Sequence, residues 1–267
     1  MSGSLPRIAA SNYSNSAPLI WSFWKGGKRG EVEYLPDAAP AKCAEMLQNG
    51  AVEIALTPVI EYQRIEDVLI VPQVCVGARQ QVKSVILVTK GEDLREAKSV
   101  ALDVSSKTSV ALTSIIFREF FERAPKFVSH APDIEKMLEK HDAALLIGDP
   151  ALRVERRKYR VFDVAEIWRE FTGKGFVFAF WLARNTAALK VRKIDFVGAR
   201  DEGLSKIEEI IDFYMPQISL DKNGFRRYLT ENISYMLDNE LLAGLQLYYR
   251  LAHKHDLIPE IKPIQFL

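Results

Sequence analysis

The residues with the most chemical promise are Ser105, Ser106, Lys107, Thr108 and Ser109, which follow the strand-like Ser99 to Leu102 and open a helix running through Phe121. Hydroxyls and unspent backbone N–H groups gathered at a helix start suit a carboxylate or a phosphate. The plainer alternative is helix capping by Ser105 or Ser106, for which one serine suffices. A second polar loop, Asn12, Ser14, Asn15 and Ser16, joins a strand to a helix, the place where open α/β sheets present ligand-binding groups. Thr57 ends the strand Val52 to Leu56. Ser84 begins another apolar strand, and either faces a cleft from its floor or sits at the surface of a strand end. Gly148 and Asp149 follow the apolar strand Ala143 to Ile147. Asp149 either stands at the strand's carboxyl end facing a cleft or caps the helix that Pro150 begins, capping being the simpler role.

Other residues narrow the chemistry by exclusion. The four histidines, His130, His141, His253 and His255, lie outside all of these segments, which argues against a histidine triad or general base. There is no Gly-rich phosphate loop, no dinucleotide fingerprint and no His/Cys/carboxylate set with metal-ligand spacing, so neither a cofactor nor a metal is expected. Phe176, Phe178 and Trp181 sit in an apolar strand and read as core and hinge packing rather than a stacking platform.

The elements that must position these residues are strands alternating with helices, which implies an α/β fold with mixed, mainly parallel sheets flanked by helices. One design occurs twice: MLQNGAVEIALTP and MLEKHDAALLIGDP both run from a helix end through a buried strand to a small polar loop with a proline. The repetition suggests two lobes of related layout with a ligand cleft between them. After Leu182 the pattern turns helical: Leu204, Ile207, Ile211 and Tyr214 share one face, and Asp238 is placed to cap a helix burying Leu241, Leu242, Leu245 and Tyr248. The expected lobes are 1–88 plus 183–267, and an inserted 89–182. The crossings are Ser84 to Thr89 going out and Val177 to Leu182 returning, and a pair of crossings makes a hinge.

Length and composition fit this picture. A chain of 267 residues with 48% hydrophobic content buries a large core, and 36 basic against 35 acidic residues leave no field that would draw it to nucleic acid or an anionic membrane. The expected partner is therefore a small molecule. Cys43 and Cys75 read as packed thiols. The longest apolar run, Phe176 to Ala183, is too short to span a bilayer, and the N-terminal residues lack a signal-peptide pattern, so a cytoplasmic location is expected. Oligomeric state is not legible.

At these residues the sequence resembles the chorismate dehydratase family of the futalosine route to menaquinone, over essentially the whole chain. The resemblance rests on Arg7-Ile8 with Tyr13 to Leu19, Val52 to Pro58 with Glu61-Tyr62, and Lys83-Ser84-Val85. It continues through Asp103 with SSKTS, LLIGDPAL at 145–152, Trp168, Thr172-Gly173 and FVFAFW at 176–181. It implies the type II periplasmic-binding-protein-like fold, with chorismate held between the lobes and dehydrated to 3-((1-carboxyvinyl)oxy)benzoate by a carbon–oxygen lyase. The family's small-ligand residues fall on Asn15, Ser84, Ser106, Thr108, Ser109, Gly148 and Asp149. Asn15 and Ser84 would contact the reacting ring, and Ser16, Thr57 and the 105–109 cluster would bind substrate. The proton acceptor stays open between the substrate's enolpyruvyl carboxylate and Asp149. Departures are Ser14, where the family has leucine, and Lys174-Gly175, where it has an apolar residue and proline. The competing readings are a 1,4-dihydroxy-6-naphthoate synthase-like enzyme of the same pathway, a small-anion-binding protein, and a regulator's effector domain. Missing export signals and the lack of a preceding DNA-binding segment count against the last two.

Overall fold

The computed structural model describes residues 4–37 and 39–267; residues 1–3 of the expected first lobe, and residue 38, lie outside the described residues. Apolar and β-branched runs become the strands, most of them followed by an α-helix. The chain runs β1 (Arg7–Ser11), α1 (Ala17–Trp24), β2 (Glu33–Asp37), α2 (Pro40–Gln48), β3 (Ile54–Pro58) and β4 (Val68–Ala78). It continues through β5 (Val85–Thr89), β6 (Ser99–Asp103), α3 (Lys107–Ile115), β7 (Lys126–His130), α4 (Ile134–Lys140), β8 (Ala143–Ile147), α5 (Gly148–Leu152), β9 (Arg160–Asp163) and α6 (Val164–Thr172). Then β10 (Phe176–Arg184) leads into α7 (Ala188–Val191), α8 (Phe196–Ser205), α9 (Ile207–Tyr214), α10 (Lys222–Arg227) and α11 (Asn239–Lys254). No helix among the described residues is long and apolar enough to cross a membrane.

The strands form two five-stranded sheets, ordered β2-β1-β3-β10-β4 and β7-β6-β8-β5-β9. In each, the first three strands run parallel and the last two pair antiparallel. β3 and β8 occupy the same central place, and every residue of both is buried, which is why each reads as an unbroken apolar run. Every residue of the edge strands β2 and β7 is exposed or half-buried. The two copies of the repeated sequence design fall on α2–β3 and α4–β8, equivalent positions in the two sheets.

The pairing moves the expected lobe boundaries. β5 lies wholly in the second sheet and β10 wholly in the first, so the chain crosses at 79–84 and at 173–175 rather than at 88/89 and 182/183. A continuous apolar run says that a strand is buried on both faces but not between which partners, and both crossing strands are such runs. α6 binds the two crossings together. Asp163 caps it, accepting hydrogen bonds from the N–H groups of Ala165 (3.0 Å) and Glu166 (3.2 Å), and the same carboxylate accepts from Val82 N (3.2 Å) and Lys83 N (2.6 Å) on the outgoing crossing. At Lys83 the backbone adopts a φ of +60°, a conformation side chains other than glycine's seldom take. Further along α6, Arg169 donates to the Arg79 carbonyl (2.8 Å) and Trp168 Nε1 to the Gly175 carbonyl (3.2 Å) on the return crossing.

In the helical tail, Asp238 caps α11 by accepting from Leu241 N (3.1 Å), and Leu241, Leu245 and Tyr248 are buried with Leu242 half-buried. The stripe from Leu204 to Tyr214 is split between α8 and α9 at Lys206, so only Ile211 and Tyr214 of that face are buried.

Candidate active site

A cavity of about 50 Å³ lies where carboxyl-end loops of the two sheets meet. The first sheet presents Ser11, Tyr13, Asn15 and Ser16 from the turn between β1 and α1; the second presents Ser106 and Ser109 from the start of α3, with Gly148 after β8. Leu56, Pro58, Val76, Val82, Val85 and Phe178 give it an apolar floor. Among the described residues no charged side chain lines it, so an anion here would rest on hydroxyls, an amide and the starts of two helices.

The two helix starts are built differently. Ser106 is the N-cap of α3: its Oγ accepts from Ser109 N (3.2 Å) and donates to Ser109 Oγ (2.8 Å), so capping and cavity lining coincide in one residue. The loop before it is fixed by buried Asp103, which accepts from Ser105 N (2.9 Å), from the Ser105 hydroxyl and from Ile147 N (3.2 Å) of β8. Burial raises the Asp103 carboxyl above its usual range, and these donors pull it back down. On the other side, the turn Ser14–Ser16 and α1 have no side-chain cap. Their first donors go to the opposite sheet, where Asp149 Oδ1 accepts from the Ser14 hydroxyl (2.5 Å) and its two oxygens from Ser14 N (3.2 Å each).

Asp149 is therefore not a helix cap. It stands in the first turn of the five-residue α5, whose N-cap position is Ile147, and reaches across to Ser14 because Gly148 turns the chain there with φ +61°. A Cβ at Gly148 would lie 2.5 Å from the Tyr13 ring, so only glycine lets that ring pack flat on the turn. Burial pushes the Asp149 carboxyl up, and the Ser14 bonds pull it down.

Of the expected residues, Asn15, Ser16, Ser106, Ser109 and Gly148 line the cavity. Six others stand outside its lining. Thr57 is fully buried with its hydroxyl on the Phe180 carbonyl (3.5 Å). Ser84 is fully buried rather than at the surface; its hydroxyl donates to the Val82 carbonyl (3.4 Å) and its own carbonyl accepts from Gly148 N (2.7 Å). Ser105 serves Asp103, and Thr108 Oγ1 accepts from Ile60 N (3.2 Å), tying α3 to the first sheet. Asp149 serves Ser14, and Lys107 points away, its Nζ 3.4 Å from Glu61.

One neighbour escaped the sequence reading. Tyr228 is fully buried, its hydroxyl has no hydrogen-bond partner among the described residues, and burial pushes its phenol far up while the Ser84 and Asn15 side chains pull it back. An aromatic residue in an amphipathic helix looks like core, and nothing local marks its hydroxyl as facing this pair. Among the described residues no group of His, Cys, Asp and Glu is placed to hold a metal ion.

Two mixed sheets joined by a double crossing, with a cavity between their strand ends, define a protein of the periplasmic-binding-protein fold. Solved structures agree: the periplasmic aliphatic sulphonate binding protein of Escherichia coli superposes with a TM-score of 0.66 at 18% identity, covering 100% of this chain and 94% of its own. A protein of Archaeoglobus fulgidus superposes with a TM-score of 0.79 at 18% identity, over 97% of this chain and all of its own. By sequence the chain belongs to the menaquinone biosynthesis family, whose model matches residues 6–254. It is similar to the chorismate dehydratase of Thermus thermophilus, 27% identical over 255 residues, which covers 88% of this chain and 91% of the relative.

Proposed function

We propose that the protein is a chorismate dehydratase, a hydro-lyase that converts chorismate to 3-((1-carboxyvinyl)oxy)benzoate without a cofactor. The observation that carries the reading is the pairing of hydroxyl-rich helix starts, one from each sheet, across an apolar floor. Chorismate is a ring with two carboxylates, and helix starts with hydroxyls hold carboxylates without placing a cation against them. Loss of the ring proton and the neighbouring hydroxyl makes the ring aromatic, which drives the reaction. The protein has to orient the ring and stabilise charge passing into its carboxylate.

At about 50 Å³ the cavity has room for a few waters only, so the substrate enters with the sheets parted and reacts with them closed. Asn15 touches the ring directly. Ser84 lies one layer back, and closure on substrate brings it to the reacting carbon together with the Tyr228 hydroxyl. Asp149 is spent on Ser14 and does not line the cavity, which favours the substrate's own enolpyruvyl carboxylate as the proton acceptor. No histidine among the described residues lines the cavity, which favours this reading over a naphthoate synthase-like one with a histidine base.

The test is incubation of the purified protein with chorismate and no added cofactor, followed by chromatography with mass detection. A product lighter by one water, with an aromatic spectrum, is expected. Chorismate returned unchanged by folded protein overturns the enzyme reading and leaves a binding protein.

A further inference from the structure

We propose that the outer face of α3 carries a second binding site, for a flat aromatic carboxylate, lying back to back with the cavity. The residues Lys107, Val110, Ala111, Ser114 and Arg118 recur at spacings of three and four, so they form one stripe along α3 and the π turn Ile116–Phe120 that continues it. This stripe is the floor of a groove of about 370 Å³, within the size range of small-molecule sites. Arg64, Leu257 and Phe127 of the edge strand β7 also line it.

Its charge and polarity point to the ligand. Lys107 and Arg118, at the two ends of the stripe, and Arg64 border the groove, while among the described residues no carboxylate lines it. Arg64 (2.9 Å) and Lys107 (3.4 Å) share a single acid, buried Glu61. Arg118 is exposed, and among the described residues its guanidinium bonds only to the His255 carbonyl (3.2 Å). Ser114 is 6% exposed, and among the described residues its hydroxyl has no hydrogen-bond partner. A surplus of cations, an unspent buried hydroxyl and the Phe127 and Val110 surfaces suit an anion carried on a flat apolar body. The site does not depend on the proposed dehydration. It touches the cavity only through Ser106, which borders both.

Titration calorimetry with biphenyl-4-carboxylate tests this. Wild-type protein is expected to bind the probe, and Arg118→Glu and Val110→Glu are each expected to weaken it by about tenfold or more, as is replacement of the carboxylate by the carboxamide. Asn15→Ala, which alters the cavity, is expected to leave the affinity unchanged. Arg118 is exposed and Val110 half-buried, and circular dichroism of both variants checks that they fold. Absence of binding up to millimolar probe, or wild-type affinity in either charge variant or for the carboxamide, overturns the site.

Discussion

The starts of α1 and α3 face the same cavity from matching places in their sheets, yet they are stabilised in opposite ways. α3 is capped by its own Ser106 and steadied by Asp103, both within its own sheet. The turn leading into α1 has no cap of its own and gives its donors to Asp149 of the other sheet. The cap of α3 is thus made within its own sheet, although Thr108 also ties that helix to the first sheet, whereas the turn before α1 finds its side-chain acceptor only across the contact. A shared layout does not imply a shared division of labour: the cap on the second sheet's side is preformed, and the first sheet's turn is completed by contact.

The strongest way to break this asymmetry is Gly148→Val. A β-branched residue at φ +61°, pushed against the Tyr13 ring, is expected to cost at least about 2 kcal/mol and to hold the sheets apart. With the reacting groups displaced, turnover is expected to fall by roughly a hundredfold, read by thermal unfolding and initial rates. Ser14→Ala removes the hydroxyl from a buried carboxylate and is expected to cost roughly 1–3 kcal/mol by denaturant unfolding, mostly at the sheet contact. Asp149→Asn sharpens the same point through pH. Burial raises the Asp149 carboxyl, so the folded chain holds its proton more tightly than the unfolded chain. Stability should therefore fall as pH rises from the ordinary carboxylate value through the raised one, and Asp149→Asn should flatten that slope in urea titrations at a series of pH values. If Asp149→Asn instead abolishes turnover while chorismate still binds, Asp149 is the proton acceptor.

On the preformed side the effects are smaller. Ser106→Ala is expected to cost about 1 kcal/mol, the value of a helix cap, with a rise in KM larger than any fall in kcat. Tyr228→Phe removes a hydroxyl that has no partner, so stability should change by less than about 0.5 kcal/mol while kcat falls several-fold. Unchanged kcat in Tyr228→Phe would reduce that residue to packing.

How far the sequence revealed all this follows the range of each signal. Capping, strand burial and the small polar loops are local, and Ser106, Ser109, Asn15, Ser16 and Gly148 were legible for that reason. By sequence Asp149 reads as either a cleft-facing carboxylate or a cap, because a carboxylate before proline at a helix start fits both; its bonds to Ser14 rule out the cap. Its true partner, Ser14, is 135 positions away. Lys107 belongs to the serine cluster by sequence but not by direction, since one step along a helix turns a side chain away from its neighbour's face. The crossings were displaced because an apolar strand carries no mark of the sheet it joins.

The clasp at α6 has a mechanical meaning. Its cap residue Asp163 is bonded to Val82 and Lys83, and its later turns to Arg79 and Gly175, so the two linkers between the sheets are fastened to one rod. If the sheets swing, the linkers cannot flex independently. They turn as an axle with its bearings joined, which leaves the jaws one path of closure and brings Asp149 back to Ser14 in the same register each time.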